Sequence, residues 1–403
     1  MSTQVHANLT EEQVRAISDE LDEPEWLLET RLDALSALSD LDMPKVIRTP
    51  GRDWTNLDAL DFESFVDPLE GAEQKERVTA EGAEVLEWSE AVAEHEALVR
   101  EHFGSVVDTQ ENYLTALSTA LFSTGTLVYV PERVDAEDVK IRTTVDSRSL
   151  FNYTLVVTET SASVTILERQ STGDEVEGDR YYSGIVEAVA GENSRIQYGA
   201  LQNLSEETYN YTLKRGRTDV YATINWIDGN IGSRLTKTEV STELAGDSSE
   251  TQIVGAFFGH DDQHFDLDSK VWHYGEHTTA DLVMRGVVDD TARSVYEGVQ
   301  YVGDDAWNTS SYQRENTLML SDESEADASP KLEIDNHDTE ASHSATVGQI
   351  DEEDLFYMLT RGIDRESARN QLVEGFFVPV LDEVEVGELR ADLRELIAAR
   401  LRE

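Results

Sequence analysis

The side chains best suited to chemistry in this sequence are its nine histidines, because the chain contains no cysteine. Two of them, His337 and His343, lie six residues apart near the C-terminal end, with Asp338 and Glu340 between them. A neutral imidazole is a suitable ligand for iron and other transition metals. Without cysteine, disulfides, thiolate nucleophiles and cysteine metal sites are all excluded. His337 and His343 are therefore candidate metal ligands.

Four other histidines form two pairs with a spacing of four residues: His260 with His264, and His273 with His277. On a helix each pair would make one edge of a metal site. The surrounding residues are typical of strands and turns, however, and four residues along a strand span roughly 13 Å, which is too far for one ion. We therefore expect these four histidines to be structural or turn residues.

Motifs of nucleophilic and phosphate chemistry are absent from the sequence. It contains no Gly-x-Ser-x-Gly and no Gly-x-x-x-x-Gly-Lys-Ser/Thr. Carboxylates are so numerous that a pair of them predicts only a solvated surface. We expect a protein that is not an enzyme, so that any ATP hydrolysis coupled to it comes from another chain.

The charge balance is strongly acidic, with 83 Asp and Glu against 32 Lys and Arg and a net charge of −51. Such charge destabilises a compact chain by self-repulsion, which molar salt screens because the Debye length falls to about 3 Å. The composition favours a halophilic protein; the alternative is an acidic mesophilic one. Nucleic acid is not expected as a partner, because its phosphates would be repelled.

The N-terminus has neither a basic region nor an apolar stretch, so it does not resemble a signal peptide. No apolar run approaches the length of a membrane span. We therefore expect a cytoplasmic protein with no membrane partner.

The elements fall into three regions. Residues 1–122 read as helices, with a capping box at residues 10–13 and a loop or linker at about 41–80. From residue 125 to about 335, short strands rich in β-branched and aromatic residues alternate with Gly, Asp and Asn turns that repeat loosely. This pattern suits a solenoid such as a β-helix, and it equally suits a large β-sandwich.

The C-terminal region is helical again. The sequence predicts a helix at residues 355–361 that ends at Gly362, a second at 365–374 that ends at Gly375, and a third at 387–401. The third carries an apolar stripe of Leu389, Leu393, Ile397 and Leu401. The stripe either packs on the protein itself or is offered to a partner.

Residues 331–363 join the β and α regions and contain a set of closely spaced motifs: Leu332-Glu-Ile334, Asp338, Ser342-His343, Ala345-Thr-Val-Gly348, Leu355-Phe-Tyr357 and Arg361-Gly-Ile363. Together these motifs resemble the signature of the SufB/SufD scaffold proteins of the SUF iron–sulfur cluster assembly system. Where the family usually shows Cys-Ser-His-Gly, this chain has Ala341-Ser-His-Ser344. The resemblance implies a mainly β fold, a right-handed parallel β-helix core at 123–340, between the helical N-terminal region 1–122 and a helical C-terminal domain 341–403.

The missing cysteine makes the chain more similar to SufD-type than to SufB-type subunits. The resemblance then implies that His343 lies at a cluster-assembly interface, where it is a candidate iron ligand opposite a thiolate of the partner. The expected partners are a SufB-type paralogue, or a second copy, through the β-helix, and a SufC-type ABC ATPase through Leu355, Phe356, Tyr357 and Arg361. An iron–sulfur cluster would be transient and shared, with no cofactor held by this chain alone; whether flavin binds is left open, as is a role for His337.

Two other functions fit a β-solenoid. One is a carbohydrate-active enzyme that acts on acidic polysaccharide with carboxylates and basic residues in a groove, often with Ca²⁺. The other is a self-associating β scaffold without cluster chemistry. Activity on uronic-acid polymers would favour the first alternative, and cluster loading that does not depend on His343 would favour the second.

Overall fold

Strands dominate the structure, a computed structural model that describes residues 9–44, 75–173, 178–384 and 386–402. Most of the linker predicted at about 41–80 lies outside these residues, and its last part forms a strand. The strands of the described residues are β1 (Lys75–Val78), β2 (Glu84–Glu87), β3 (Thr124–Val130), β4 (Asp135–Val145), β5 (Ser149–Thr158), β6 (Ser163–Thr172), β7 (Arg180–Ala190), β8 (Arg195–Asn203), β9 (Thr208–Thr218), β10 (Thr223–Asn230), β11 (Leu235–Leu244), β12 (Glu250–Gly259), β13 (His264–His273), β14 (Thr279–Val288), β15 (Arg293–Val302), β16 (Thr309–Met319), β17 (Glu325–Ile334) and β18 (Thr339–Gln349).

Helices flank the strands at both ends of the chain. In the described residues they are α1 (Glu11–Glu20), α2 (Glu25–Ala37), α3 (Trp88–His102), α4 (Tyr113–Leu121), α5 (Glu352–Thr360), α6 (Arg365–Glu383) and α7 (Gly387–Arg400). The predicted capping box is present, because the Thr10 side chain accepts from the Gln13 backbone while the Gln13 side chain accepts from the Thr10 backbone.

The strands form a two-sheet solenoid. From β3 onward, successive strands alternate between the sheets, so one nine-stranded sheet holds the even-numbered strands with β1 and the other holds the odd-numbered strands with β2. Strands β3 to β18 pair in parallel within each sheet, and Leu235, His264 and Arg293 stack in register, which gives roughly 29 residues a coil. This arrangement confirms the β-helix and excludes the β-sandwich.

The core lies between the two sheets, where each coil buries its apolar side chains against the coils on either side. Ile224 and Trp226 of the even-strand sheet pack there with Val240 and Val271 of the odd-strand sheet. A coil cannot bury these side chains alone, so its stability depends on its neighbours.

The outer faces of the sheets are covered by helices. N-terminal helices α2 and α4 pack on the odd-strand sheet, with Leu27, Leu117 and Leu121 in one cluster with Tyr153 and Leu213. On the even-strand sheet, Leu389, Leu393 and Ile397 of α7 are buried against strand residues. The apolar stripe predicted at 387–401 therefore packs on the protein itself, with Leu401 partly buried.

Helix α6 differs from the sequence prediction, because it runs through Gly375 and Pro379 to Glu383 instead of ending at Gly375. Val373 and Phe377 are buried in the cluster that α6 and α7 form on the even-strand sheet. Packing of an amphipathic face outweighs the intrinsic cost of Gly and Pro in a helix.

Two boundaries also differ from the prediction. Residues 84–87, which lie in the region predicted to be helical, form strand β2 against β3, and α3 begins at Trp88. At the other end, β18 carries the β-helix to Gln349, beyond the boundary predicted at residue 340. The sequence of β18 does not look like a strand, because it is polar. The last coil is not covered by a further coil and therefore needs few apolar side chains.

Candidate functional site

The candidate site is the end of the solenoid formed by β17 and β18. Among the described residues each is the last strand of its sheet and pairs on one side only, β17 with β15 and β18 with β16. Most side chains of β18 are exposed, and those of β17 are only half-buried or exposed. The free backbone groups of such edge strands are a template for pairing with another chain. We call this end, residues 325–349, the open end.

His343 lies in the middle of β18, in register with Gln313 of β16. Residues paired in neighbouring parallel strands point to the same face of a sheet. Gln313 is only 1% exposed, so it faces the interior of the solenoid. His343 therefore lies on the interior side of the last coil, exposed because no coil follows.

A layer of polar side chains lies directly beneath β18. Ser311, Gln313, Glu315 and Thr317 of β16 are all buried, whereas the coil below presents apolar residues such as Leu282 to the core. The Thr317 hydroxyl donates to Glu315 Oε1 over 2.5 Å, and the backbone N–H of Thr346 in β18 donates to the same carboxyl group.

Glu315 is the most perturbed group of this layer. Burial raises the pKa of its carboxyl group to about 7, although the hydrogen bonds from Thr317 and Thr346 oppose the shift. Its second oxygen, Oε2, is buried and makes no hydrogen bond within the described residues. Sequence reasoning missed Glu315 because its burial depends on the register between β16 and β18.

His337 is separated from His343 by the structure. It lies exposed in the connection between β17 and β18, before β18 begins at Thr339. The four residues from Thr339 to His343 alone span roughly 13 Å of strand. The two histidines therefore do not share one ion, and among the described residues His337 belongs to no group of three or more potential metal ligands.

The histidine pairs predicted to be structural lie at strand ends and turns. His264 and His273 are the first and last residues of β13, and burial lowers the pKa of each to about 4. His273 Nδ1 lies 2.7 Å from the Thr278 hydroxyl. His277 is an exposed turn residue in a left-handed conformation, with φ of 62°, beside Asn308.

His260 belongs to one of two histidine–carboxylate clusters in the described residues, Glu206–His260–Asp261 and Glu84–Glu94–His95. In the first, Glu206 Oε1 lies 3.0 Å from His260 Nε2 and 3.5 Å from the guanidinium of Arg400. A cation already compensates this carboxylate, so the cluster resembles an ion-pair network. Sequence reasoning missed both clusters because their residues come from separate elements.

Helix α5 follows β18 and presents aromatic side chains to solvent. Leu355 is buried and anchors the helix, which packs against α6, whereas Phe356 is 67% and Tyr357 58% exposed. The Arg361 guanidinium lies 4.9 Å from the centre of the Tyr357 ring, a cation–π arrangement. Three of the four predicted docking residues are thus available to a partner, and Leu355 supports them from beneath.

The family description "SUF system FeS cluster assembly, SufBD core domain" matches residues 141–376, and "SufBD protein N-terminal region" matches residues 55–141. The core match covers more than half of the chain. The chain therefore belongs to the SufBD family of iron–sulfur cluster assembly proteins.

Individual relatives agree with this assignment. The chain is 28% identical to the iron–sulfur cluster assembly protein SufD of Bacillus subtilis, over 98% of both chains. It is 27% identical to SufB of the same organism and 27% identical to a SufBD family protein of Staphylococcus saprophyticus, each over 96% of this chain and 92% of the relative. Nothing in these comparisons supports the carbohydrate-active enzyme.

Among the described helices, none combines the length and the apolar character that a membrane crossing requires.

Proposed function

We propose that this protein is a SufD-type scaffold subunit of the SUF iron–sulfur cluster assembly complex. The observation that carries the proposal is the open end, where an unpaired edge strand presents His343 in a chain without cysteine. The identities to SufD and SufB of Bacillus subtilis differ by one percentage point, so they do not separate the two types. The missing cysteine favours the SufD type, since the chain has no thiolate to carry sulfur.

The partner proposed for the open end is a SufB-type paralogue that supplies the thiolate. Edge-strand pairing with β17 or β18 would satisfy their free backbone groups. It would also place His343 at the shared edge, where its imidazole is a suitable iron ligand. The iron–sulfur cluster is then cargo held between two chains, and a homodimer would lack the sulfur ligands.

The second proposed partner is a SufC-type ATPase bound to α5. Phe356 and Tyr357 offer exposed aromatic surface, and Arg361 adds a charge beside the Tyr357 ring. Aromatic and Arg side chains contribute strongly to protein interfaces. ATP hydrolysis then belongs to the partner, and this chain is a scaffold without catalysis of its own.

The proposed setting is a cytoplasm with molar salt. The net charge of −51 would oppose both folding and assembly at low ionic strength. The complex is therefore expected to be recovered only when salt is maintained during purification.

The test is affinity purification of the tagged chain from its own cytoplasm in molar KCl, with partners identified by mass. Recovery of an ABC-type ATPase and a cysteine-containing paralogue is the expected result. His343→Ala should then leave the complex intact but lower its cluster loading, with the nearby exposed His337→Ala as the matched control. Recovery of the folded chain alone would contradict the proposal.

A further inference from the structure

Glu315 lies one layer below His343 at the open end. Its backbone is in register with Ala345, and that of Gln313 is in register with His343, so Glu315 and His343 are diagonal neighbours on the same face of the even-strand sheet. Strands about 4.8 Å apart and a two-residue step of about 6.7 Å put their Cα atoms roughly 8 Å apart. An extended Glu and a His side chain can reach a common ion over that distance.

The layer between Glu315 and the solvent is thin. Ala345 lies directly above Glu315. On the opposite sheet, burial and the interaction with Glu315 raise the pKa of Tyr296, and Ala328 of β17 lies directly above Tyr296. The side chains directly above Glu315 and Tyr296 are therefore single methyl groups, which leave space between Glu315 and the His343 position.

Within the part of the chain that the structure describes, only one of the two oxygens of the Glu315 carboxyl group makes a hydrogen bond to a side chain. Thr317 fixes Oε1, while Oε2 is buried without a hydrogen bond in the described residues. A buried polar atom without a partner is costly, so folded proteins rarely keep one without a reason. Gln313 fills the rest of the layer, since a Cβ placed on Gly298 of the opposite sheet would lie 1.6 Å from its Nε2 atom.

We infer that Glu315 and His343 together bind ferrous iron at the open end, one imidazole nitrogen and one carboxylate oxygen from the same chain. Such a nitrogen–oxygen set suits Fe²⁺, and a buried anion gains most from a bound cation. The other coordination positions face outward, where a partner's thiolate and water can complete them. The choice of iron rests on the proposed scaffold function.

The test uses Fe²⁺ added anaerobically to the full-length chain in molar KCl, with bound iron measured by equilibrium dialysis. Excess Mg²⁺ occupies surface carboxylates, because it prefers an all-oxygen shell and competes poorly for an imidazole site. The wild-type chain should bind one iron that Mg²⁺ does not displace. Glu315→Gln and His343→Ala should each weaken that binding by at least about tenfold.

The matched control is Glu340→Gln, because Glu340 is on the same edge strand but on its outer face, beside the Tyr312 hydroxyl. It should bind iron like the wild type. Glu315→Asp keeps the charge on a shorter side chain and should bind with intermediate affinity, and thermal unfolding shows that each variant is folded. Wild-type affinity in Glu315→Gln, or no Mg²⁺-resistant iron in the wild type, would overturn the inference.

The two proposals can fail separately. A chain that recovers the ATPase and the paralogue, but whose Glu315→Gln variant retains its iron, would overturn the iron site and leave the scaffold function standing. A chain that binds iron through Glu315 and His343 but recovers no partner would overturn the scaffold function alone.

Discussion

Lys237 shows how single residues in this solenoid depart from their usual surface roles. It is one of seven lysines in the chain and is buried, with Nζ 2.7 Å from Asp266 and 2.8 Å from Asp268. In a chain this acidic, sequence reasoning treats every carboxylate pair as a solvated surface. Here the strand register of β11 with β13 puts Asp266 beside Lys237. Removal of the lysine would leave the buried Asp266 without its cation, whereas Asp268 would keep only Lys270, whose Nζ lies 3.7 Å away.

At the same scale, His273 should couple stability to pH. Burial lowers its pKa from 6.5 to about 4, so between these values the unfolded chain takes up a proton that the folded chain does not. Stability therefore falls as the pH falls through this window. His273→Gln should reduce this loss by up to about 3 kcal/mol, measured by denaturant unfolding at pH 7 and pH 4 in molar KCl.

The quantity compared between variants is the slope of the free energy of unfolding against pH, because the many carboxylates of the chain titrate in the same pH window in every variant. His337→Gln, at an exposed position, is the control and should keep the wild-type slope. An unchanged slope in His273→Gln would show that the histidine is protonated in the folded protein.

At the scale of elements, helix α7 is seated on glycines of the even-strand sheet. A Cβ placed on Gly199 would lie 2.3 Å from Leu389 Cδ2, and one placed on Gly229 would lie 2.9 Å from Leu393 Cδ1. Because glycine has no side chain, the sheet is flat at these two positions and the leucine stripe can approach the strands closely. Neither glycine is recognisable in the sequence as a packing residue.

Gly199→Ala should therefore destabilise the protein by roughly 1–3 kcal/mol through overpacking, and Leu389→Ala by roughly 2–5 kcal/mol through a cavity. The double variant should lose clearly less than the two losses combined, since the new methyl group fills space that Leu389 vacated. Unfolding curves in molar KCl measure all three. Gly375→Ala, in α6 with nothing within 4 Å, is the control and should be neutral or stabilising.

Helix α5 carries a prediction about association. Phe356→Ala should weaken recovery of the ATPase by at least about tenfold while leaving the unfolding temperature unchanged, because this side chain is mostly exposed and truncating an aromatic anchor costs binding energy. Quantitative affinity purification in molar KCl measures the loss. Val378→Ala on α6, also exposed, should keep full recovery; equal recovery of both variants would contradict docking at α5.

At the scale of the whole molecule, charge and architecture act together. The solenoid gains stability by stacking one coil on the next, whereas a net charge of −51 repels the coils from one another. Much of the basic complement is used inside this structure, as in the pairs Arg169–Asp392 and Lys140–Glu388, which tie the sheet to α7. We propose that salt screens the remaining carboxylates.

The unfolding temperature should therefore rise steeply with KCl up to molar concentrations, as screening shortens the Debye length from about 10 Å at 0.1 M to about 3 Å at 1 M. Thermal unfolding followed by circular dichroism across a KCl series measures this dependence. A parallel series in which sucrose replaces KCl separates charge screening from general solvent exclusion, because sucrose is excluded from the protein surface but does not screen charge. Full stability at low salt would indicate the acidic mesophilic alternative.

The sequence by itself determined the order of α and β regions and the signature around His343, and the family resemblance of that signature favoured the solenoid. Local spacing carries these features: short β-branched strands, helix caps and apolar stripes each reflect the geometry of one element. The repeat alone left a β-sandwich open, because strand patterns do not say which strands pair.

Tertiary structure decided what depends on register between coils. Ala-Ser-His-Ser within β18 has no apolar alternation, so only pairing with β16 shows that it is a strand whose His343 lies on the interior side. The same pairing places Glu315 beneath it, 28 positions away in the chain, and packing on the solenoid carries α6 through Pro379. These features depend on contacts with residues that are distant in the sequence. The local sequence therefore contains no pattern from which they could be predicted.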